Sequence, residues 1–288
     1  VIQSPMFEKS LDCIIEQAFL EDLDQAGDIT SKAIIPPGKS GKARLVAKQA
    51  GIIAGQTVAE RVFSGLSPEI SIRWFYADGN RVVSGDILGV IEGNILDIVQ
   101  GERIALNFIQ RLSGIATRTH AFVSQVAGCD VTVLDTRKTI PGYRTLEKYA
   151  VRMGGGTNHR FGLYDMALIK ENHIRSAGSI EKAVEAVLEY FDKKQLKGRR
   201  KIEVEVTTID EVRTAAKLEV DRIMFDNFNV SSMKEAVDIV GGKKETEASG
   251  NVTLSTIREI AETGVDFISV GSITHSAPSF DVSLLIFE

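Results

Sequence analysis

From about residue 112 onward the chain alternates short apolar segments with amphipathic stretches, and this rhythm restricts the folds open to it. The segments are Val131–Leu134, Ala167–Ile169, Ile202–Val206, Arg222–Phe225, Glu245–Ser249 and Phe267–Val270. Between the later ones lie Ser179–Leu196, Ile209–Leu218, Val230–Val240 and Thr253–Thr263, whose apolar residues fall on one helical face. The later repeats recur every 20 to 25 residues, roughly the length of a β-α unit in a parallel sheet. Asp210, Ser231 and Thr253 stand where helix N-caps are expected, and Gly264 where a C-terminal cap is expected. No Gly-x-Gly-x-x-Gly dinucleotide fingerprint is present, so the six units favour a barrel over an open doubly wound sheet. Six units rather than eight predict an incomplete barrel.

Before that rhythm begins, the pattern is different. A helical opening, Phe7–Leu23, precedes a strand-rich block at Gly41–Lys48 and Gly51–Gly55. A second block, Ile70–Glu92, is punctuated by Asp78-Gly79-Asn80 and Ser84-Gly85-Asp86, which read as tight turns between strands. A helix follows from Asp97 to about Gly114, with Ile104, Leu106, Phe108, Ile109 and Leu112 apolar. The last residues, 280–288, read as a strand returning to the first domain. The predicted organisation is therefore an N-terminal domain of residues 1–111, joined by the tail 280–288, and an α/β barrel domain of residues 112–279.

Composition narrows the function classes. The 288 residues carry a net charge of −5, with 43% hydrophobic and 25% charged residues, as in ordinary globular enzymes. No basic stripe suited to nucleic acid is evident. No apolar run approaches the roughly 20 residues that span a bilayer. Val1–Glu8 lacks the pattern of a secretory signal. Cys13 and Cys129 are too few and too far apart for a disulfide framework or a metal knuckle, so both are expected to be buried thiols in a reducing cytoplasm.

Each barrel segment ends in chemistry, at the strand ends where barrel active sites form. The first ends in Thr136-Arg137-Lys138 and the second in Lys170-Glu171-Asn172. The third carries Glu203 and Glu205, and the fourth ends in Asp226-Asn227. The fifth ends in Ser249-Gly250-Asn251, and the sixth in Val270-Gly271-Ser272. A triple glycine, Gly154-Gly155-Gly156, leads into Asn158-His159-Arg160. Arg137 and Arg160 offer planar forks for carboxylates or phosphates, and Lys138 and Lys170 offer point charges. Glu203 and Asp226 are hard oxygen donors of the kind that hold Mg²⁺ against phosphates. The late glycine turns let backbone N–H groups approach a phosphate. Basic residues gathered this way in an acidic chain read as a pocket for a multiply charged small anion. Each residue alone would equally suit a salt-bridged surface position, and His159 alone a packing role.

These motifs resemble those of the quinolinate phosphoribosyltransferases. The resemblance runs through Glu21-Asp22-Leu23, Gly27-Asp28-Ile29-Thr30-Ser31, Gly101-Glu102-Arg103, Asp135-Thr136-Arg137-Lys138-Thr139, Asn158-His159-Arg160, Leu168-Ile169-Lys170-Glu171-Asn172-His173, Glu203-Val204-Glu205, Asp226-Asn227-Phe228 and Ser249-Gly250-Asn251. Phe225 and Thr207-Thr208 depart from the usual pattern without touching an implied contact. The resemblance implies an α/β sandwich domain followed by an incomplete α/β barrel. It also implies a homodimer or higher even oligomer, in which Arg103 reaches the partner's site. The implied reaction converts quinolinate and phosphoribosyl pyrophosphate to nicotinate mononucleotide, pyrophosphate and CO₂ in de novo NAD biosynthesis, with Mg²⁺.

By the same resemblance, Arg103, Arg137, His159, Arg160 and Lys170, with Thr136 beside them, would hold the quinolinate carboxylates. Lys138 and Lys170 would lie near the pyrophosphate. Glu203 and Asp226 would organise Mg²⁺ and the ribose hydroxyls. Ser249, Gly250, Asn251, Val270, Gly271 and Ser272 would hold the 5-phosphate, with His275 nearby. Three other readings stay open on the residues alone: transfer to nicotinate without decarboxylation, a barrel lyase using Lys170 as a Schiff base, and a noncatalytic phosphate sensor.

Overall fold

The computed structural model describes residues 5–287. The elements in chain order are α1 (Pro5–Leu23), α2 (Ile29–Ile34), β1 (Ser40–Ala47), β2 (Gly51–Ile52), α3 (Gln56–Leu66), β3 (Ser71–Trp74), β4 (Arg81–Val82), β5 (Ile87–Asn94) and α4 (Ile95–Gln125). There follow β6 (Thr132–Leu134), α5 (Arg144–Met153), β7 (Ala167–Ile169), α6 (Glu171–Ala177), α7 (Ile180–Lys193), β8 (Ile202–Val206) and α8 (Ile209–Ala215). The chain continues through β9 (Arg222–Asp226), α9 (Val230–Val240), β10 (Glu245–Ser249), α10 (Ile257–Ala261), β11 (Phe267–Ser269), α11 (Ser272–His275) and β12 (Val282–Ile286). They form two compact units. The first takes the chain up to His120, Thr139–Gly155, and the chain from Ser272; the second takes Ala121–Lys138 and Gly156–Gly271.

The first unit holds an antiparallel sheet in the order β12-β1-β5-β3, and a small β2-β4 pair. Alternation along β1 buries Ala43, Leu45 and Ala47, with Ala43 opposite the buried Ile91 of β5, the period-two pattern of a half-buried sheet. The tail strand pairs with β1, Leu45 opposite Leu284; Glu288 lies outside the described residues. The Asp78-Gly79-Asn80 turn does more than reverse the chain. The Asp78 carboxylate accepts the N–H of Gly55 (3.0 Å) and of Gln56 (3.2 Å) at the start of α3, and the Tyr149 hydroxyl. Burial raises the pKa of Asp78 despite those donors.

Helix α4 runs eleven residues beyond the expected stop at Gly114, because the apolar periodicity continues through Ile115, Ala116 and Phe122, all fully buried. Gly114 is there for close approach. A Cβ on it would lie 2.0 Å from the Pro278 carbonyl oxygen. Arg111, one turn earlier, donates to the buried Glu147 of α5 and to the carbonyls of Thr274 and Ala277. These contacts join α5 and residues 272–279 to α4 within the first unit, which also takes residues 112–120. Cys13 is exposed and Cys129 half-buried, so neither is the buried thiol expected; both are free.

The second unit is a six-stranded parallel sheet in the order β6-β11-β10-β9-β8-β7. Strands β6 and β7 are its two ends, so the barrel is incomplete, as the count of units predicted. Thr157 adds one parallel bridge beside Leu134 of β6. The helix caps sit two residues earlier than expected for α8 and α9. Thr208 and Glu211 form a capping box, and Asn229 accepts the Ser232 N–H. Helix α10 starts later than Thr253, at Ile257.

One face of β8–β11 carries the buried apolar residues Val204, Val206, Ile223, Phe225, Ala248 and Ile268. The other face departs from the expected apolar filling. It carries Glu203 and Glu205, then Arg222, Met224 and Asp226, then Glu245, Glu247 and Ser249, then Phe267 and Ser269. Acids and a base therefore occupy positions that branched apolar residues commonly fill.

Gly114→Ala is expected to destabilise the protein by at least about 2 kcal/mol, because a backbone carbonyl leaves the new methyl no room. Urea unfolding checks this; an unchanged midpoint would contradict the close approach.

Candidate active site at the mouth of the parallel sheet

The strands of the second unit end around one cavity of about 630 Å³. Its lining includes Thr136, Arg137, Lys138, His159, Arg160, Lys170, Asp226, Ser249, Gly250 and Asn251 from the sequence-predicted set, together with Glu205. The remaining predicted residues fall elsewhere. Val270 is buried, its N–H donating to the Leu134 carbonyl (2.9 Å). Gly271, the last residue of this unit, does not line the cavity. Arg103 on α4, and Ser272 and His275 on α11, belong to the first unit. There Arg103 is exposed, and His275 is exposed with Nδ1 2.6 Å from Ser276 Oγ.

The basic side of the cavity is built from β6 and the loop after the triple glycine. Asp135, at the end of β6, is fully buried. Its carboxylate accepts the His159 N–H (2.9 Å) and the Asn158 side-chain amide (2.7 Å), fastening that loop to the strand. The next residues, Arg137 and Lys138, stand at the mouth. Arg160, which also lines the cavity, donates to the Met166 carbonyl (3.1 Å). Burial lowers the pKa of Arg160, and the nearby Arg137 charge lowers it further. Two guanidiniums that repel one another across a single cavity make a site prepared for an anion.

The acidic side corrects one sequence expectation. Glu203 is fully buried and does not line the cavity; Glu205 does, in an ion pair with the Lys170 ammonium. Strand geometry explains the difference. Residues 203 and 205 share a face, and the later one lies nearer the C-terminal end, where the mouth is. Glu205 is therefore the acid that joins Asp226 on the cavity wall. Two carboxylates on one wall of an anion pocket supply the hard oxygen donors that suit Mg²⁺, so the residues fit that ion with Glu205 in the place expected for Glu203.

The turn after β10 forms the third side. Gly250 has φ +96°, and a Cβ on it would lie 2.3 Å from Asn227 Oδ1. Asn227 and Asn251 also adopt left-handed conformations, with φ of +58° and +51°. They are joined by a hydrogen bond from Asn251 Nδ2 to Asn227 Oδ1 (3.0 Å), and Asn227 in turn donates to Asp226 Oδ2 (2.9 Å). Only glycine fits at the centre of this strained turn.

Below the mouth lies a buried ionic cluster that sequence reasoning missed. Arg222 donates to Glu247 Oε2 (2.7 Å) and Glu245 Oε2 (2.9 Å), with its guanidinium carbon 3.8 Å from the centre of the Phe267 ring. Glu247 Oε1 and Glu203 Oε2 each lie 3.3 Å from His159 Nε2. Burial and the Glu247 charge raise Glu203 to a pKa of about 6, against His159 and Arg222. Burial opposes ionisation of Glu247 as well, but His159 and Arg222 prevail and lower its pKa. For His159, burial favours the neutral ring, and the two acids outweigh it and raise its pKa. The Arg160 N–H donates to Nδ1 (2.7 Å), an arrangement that suits the tautomer with its proton on Nε2, on the side of the acids. The ligand atoms of His159, Glu203 and Glu247 lie within 4.8 Å of one another, as a metal site would require. The Arg222 guanidinium already supplies the positive charge there. The sequence signal was the alternation of acids along β8 and β10 with one arginine between them on β9.

The chain matches the family models described as quinolinate phosphoribosyl transferase, N-terminal domain over residues 28–113 and C-terminal domain over residues 115–285. It is 43% identical to quinolinate phosphoribosyltransferase [decarboxylating] 1b of Nicotiana tabacum, over 95% of this chain and 81% of that protein. It is 40% identical to a probable nicotinate-nucleotide pyrophosphorylase [carboxylating] of Bacillus subtilis, over 94% and 91% of the two chains. Among solved structures, the nicotinate-nucleotide pyrophosphorylase of Francisella tularensis superposes with a TM-score of 0.90 at 42% identity, covering 97% of this chain and 96% of that one.

Glu203 binds its proton more tightly in the folded chain (pKa about 6) than at its ordinary value of 4.5. Its contribution to stability is present at low pH and is lost as the pH rises from about 4.5 to about 6. Glu203→Gln has no such proton. The stability of the wild type relative to the variant should therefore fall by an amount on the order of 2 kcal/mol across that window. Urea unfolding at pH 4.5 and pH 7 measures it; a pH-independent difference would contradict the assignment.

Proposed function

The chain belongs to the quinolinate phosphoribosyltransferase family, and on that premise we propose that the cavity at the mouth of its parallel sheet is where quinolinate and phosphoribosyl pyrophosphate meet. The enzyme transfers the phosphoribosyl group to quinolinate with decarboxylation, giving nicotinate mononucleotide, pyrophosphate and CO₂ for de novo NAD synthesis. The observation that carries the assignment of the site is the presence of Arg137 and Arg160, near enough to repel one another, in one cavity with Lys138 and Lys170. Two forks suit two adjacent carboxylates on one ring, and this favours quinolinate over nicotinate as the acceptor.

The residues divide the work. Arg137 and Arg160 grip the carboxylates and orient the pyridine nitrogen toward C1 of the ribose, in place of a bimolecular search. Lys138 lies where it can neutralise the departing pyrophosphate, and Lys170, steadied by Glu205, joins it. Glu205 and Asp226 would hold Mg²⁺, which when bound supplies charge neutralisation for the phosphates. The Ser249-Gly250-Asn251 turn presents backbone N–H groups to the 5-phosphate. As the pyrophosphate bond to C1 breaks, the ribose gains oxocarbenium character and the pyridine nitrogen attacks. The resulting pyridinium stabilises the C2 carbanion left when that carboxylate departs as CO₂, and a proton from solvent water then takes its place at C2. No side chain forms a covalent bond in this scheme. The engagement of the Lys170 ammonium by Glu205 also counts against a Schiff-base lyase.

The active form is a homodimer or higher even oligomer in this reading, with Arg103 contributed across the interface; its exposed position on α4 supports that role. Two free cysteines, one of them exposed, suit a reducing cytoplasm. No helix among the described residues is long and apolar enough to cross a membrane.

Arg137→Ala should raise KM for quinolinate by at least about tenfold, the loss of one charge-assisted pair, and KM for phosphoribosyl pyrophosphate much less. Release of CO₂ with each substrate varied in turn reads both; equal, small effects would contradict the clamp. For the oligomer, mixing inactive Arg103→Ala with inactive Lys138→Ala subunits should restore part of the turnover. Stable mixed dimers with none would reject the shared site.

A further inference from the structure

Both ring nitrogens of His159 face groups of the protein. Nδ1 receives the Arg160 N–H at 2.7 Å, and Nε2 points between Glu203 and Glu247, 3.3 Å from each. The Nε2 edge of the ring is thus turned to the buried acids, although the ring forms part of the cavity wall. What it does possess is a rigid mounting. Glu247 is fully buried and is fixed from the other side by Arg222, whose fork also takes Glu245, itself paired with Lys201 at 2.6 Å. An unbroken chain of contacts therefore runs from Arg222 through Glu247 to the imidazole, and from the imidazole to the backbone N–H of Arg160.

We propose that Glu247, clamped by Arg222, is a positioning residue: it sets the orientation of the His159 ring, and through the ring's Nδ1 it sets the backbone of Arg160, so that the Arg160 guanidinium meets one carboxylate of the pyridine substrate. The inference rests on the reading of Arg160 as a carboxylate clamp and deepens it. It predicts a selective role. Arg160 reaches the cavity from the loop that follows the triple glycine, whereas Lys138, Asp226 and the Ser249-Gly250-Asn251 turn reach it from strand ends. A loosened Glu247 harms the grip on quinolinate and leaves the grip on phosphoribosyl pyrophosphate intact.

Glu247→Gln tests this with little change in volume. The amide oxygen can still accept from Arg222, but the amide N–H₂ then faces the protonated Nε2, and two donors cannot share the gap. KM for quinolinate should rise about tenfold, in line with an unsatisfied buried donor. KM for phosphoribosyl pyrophosphate should stay within about twofold. The ¹⁵N spectrum of the His159 ring should move away from the wild-type Nε2–H pattern. Equal rises in both KM values, or unchanged kinetics in a folded variant, overturn the proposal. If Glu247→Gln does not fold, Arg222→Lys decides by the same comparison: it keeps the charge and loses the fork, so a smaller rise confined to quinolinate supports the role and a uniform one refutes it. Wild-type turnover, measured in parallel, bears on the reading of the site; the ratio of the two KM shifts bears on Glu247 alone.

Discussion

The pocket depends on keeping charge buried beneath it. Glu203 and Glu247 are fully enclosed, and such groups are tolerated only when paired. Arg222 and His159 provide the pairing. Removing one partner from an arrangement of this kind typically costs about 3–5 kcal/mol, whereas an apolar replacement of the whole set can be neutral or better. The cluster is therefore poorly explained as a source of stability. It is better explained by what rests on it, since the His159 ring that it holds is also the contact of the Arg160 backbone.

From that base the mouth is assembled by simple rules. A parallel sheet places the C-terminal ends of its strands side by side, so residues distant in sequence reach one cavity. The strand ends then divide by chemistry: the forks would suit planar carboxylates, the ammonium groups phosphate oxygens, the carboxylates a hard cation, and the glycine turn a phosphate at close range. The mutual repulsion of Arg137 and Arg160 is a local cost that a bound anion would relieve. Strain in the turn around Gly250, with left-handed Asn227 and Asn251 on either side, belongs to the same pattern of local cost at a functional site.

Much of this was legible in the residues. The alternation of apolar segments and helices gave the parallel sheet and its incompleteness, and the charged strand ends gave most of the cavity lining. Three features were not. Gly114 read as a helix end, because a sequence cannot tell a glycine that stops a helix from one that admits a neighbouring carbonyl. Glu203 was preferred to Glu205, although period two and the location of the mouth together select the later residue. The charged filling of the sheet's inner face was invisible to an expectation of apolar packing, since the partners Glu203, Arg222, Glu247 and His159 come from four separate segments and only the fold pairs them. Arg103 illustrates the opposite case: its role comes from the family resemblance, and the fold adds only that it is exposed on α4.

The central claim is that two arginines clamp the two carboxylates of the pyridine acid while a buried relay holds one of them in place. A crystal structure of the enzyme with quinolinate tests it most directly. The account predicts one carboxylate within about 3 Å of the Arg137 guanidinium and the other within about 3 Å of that of Arg160, with the His159 ring still bridging Glu247 and the Arg160 N–H. Quinolinate bound away from these arginines, or a His159 ring turned outward to donate to a carboxylate, would contradict it.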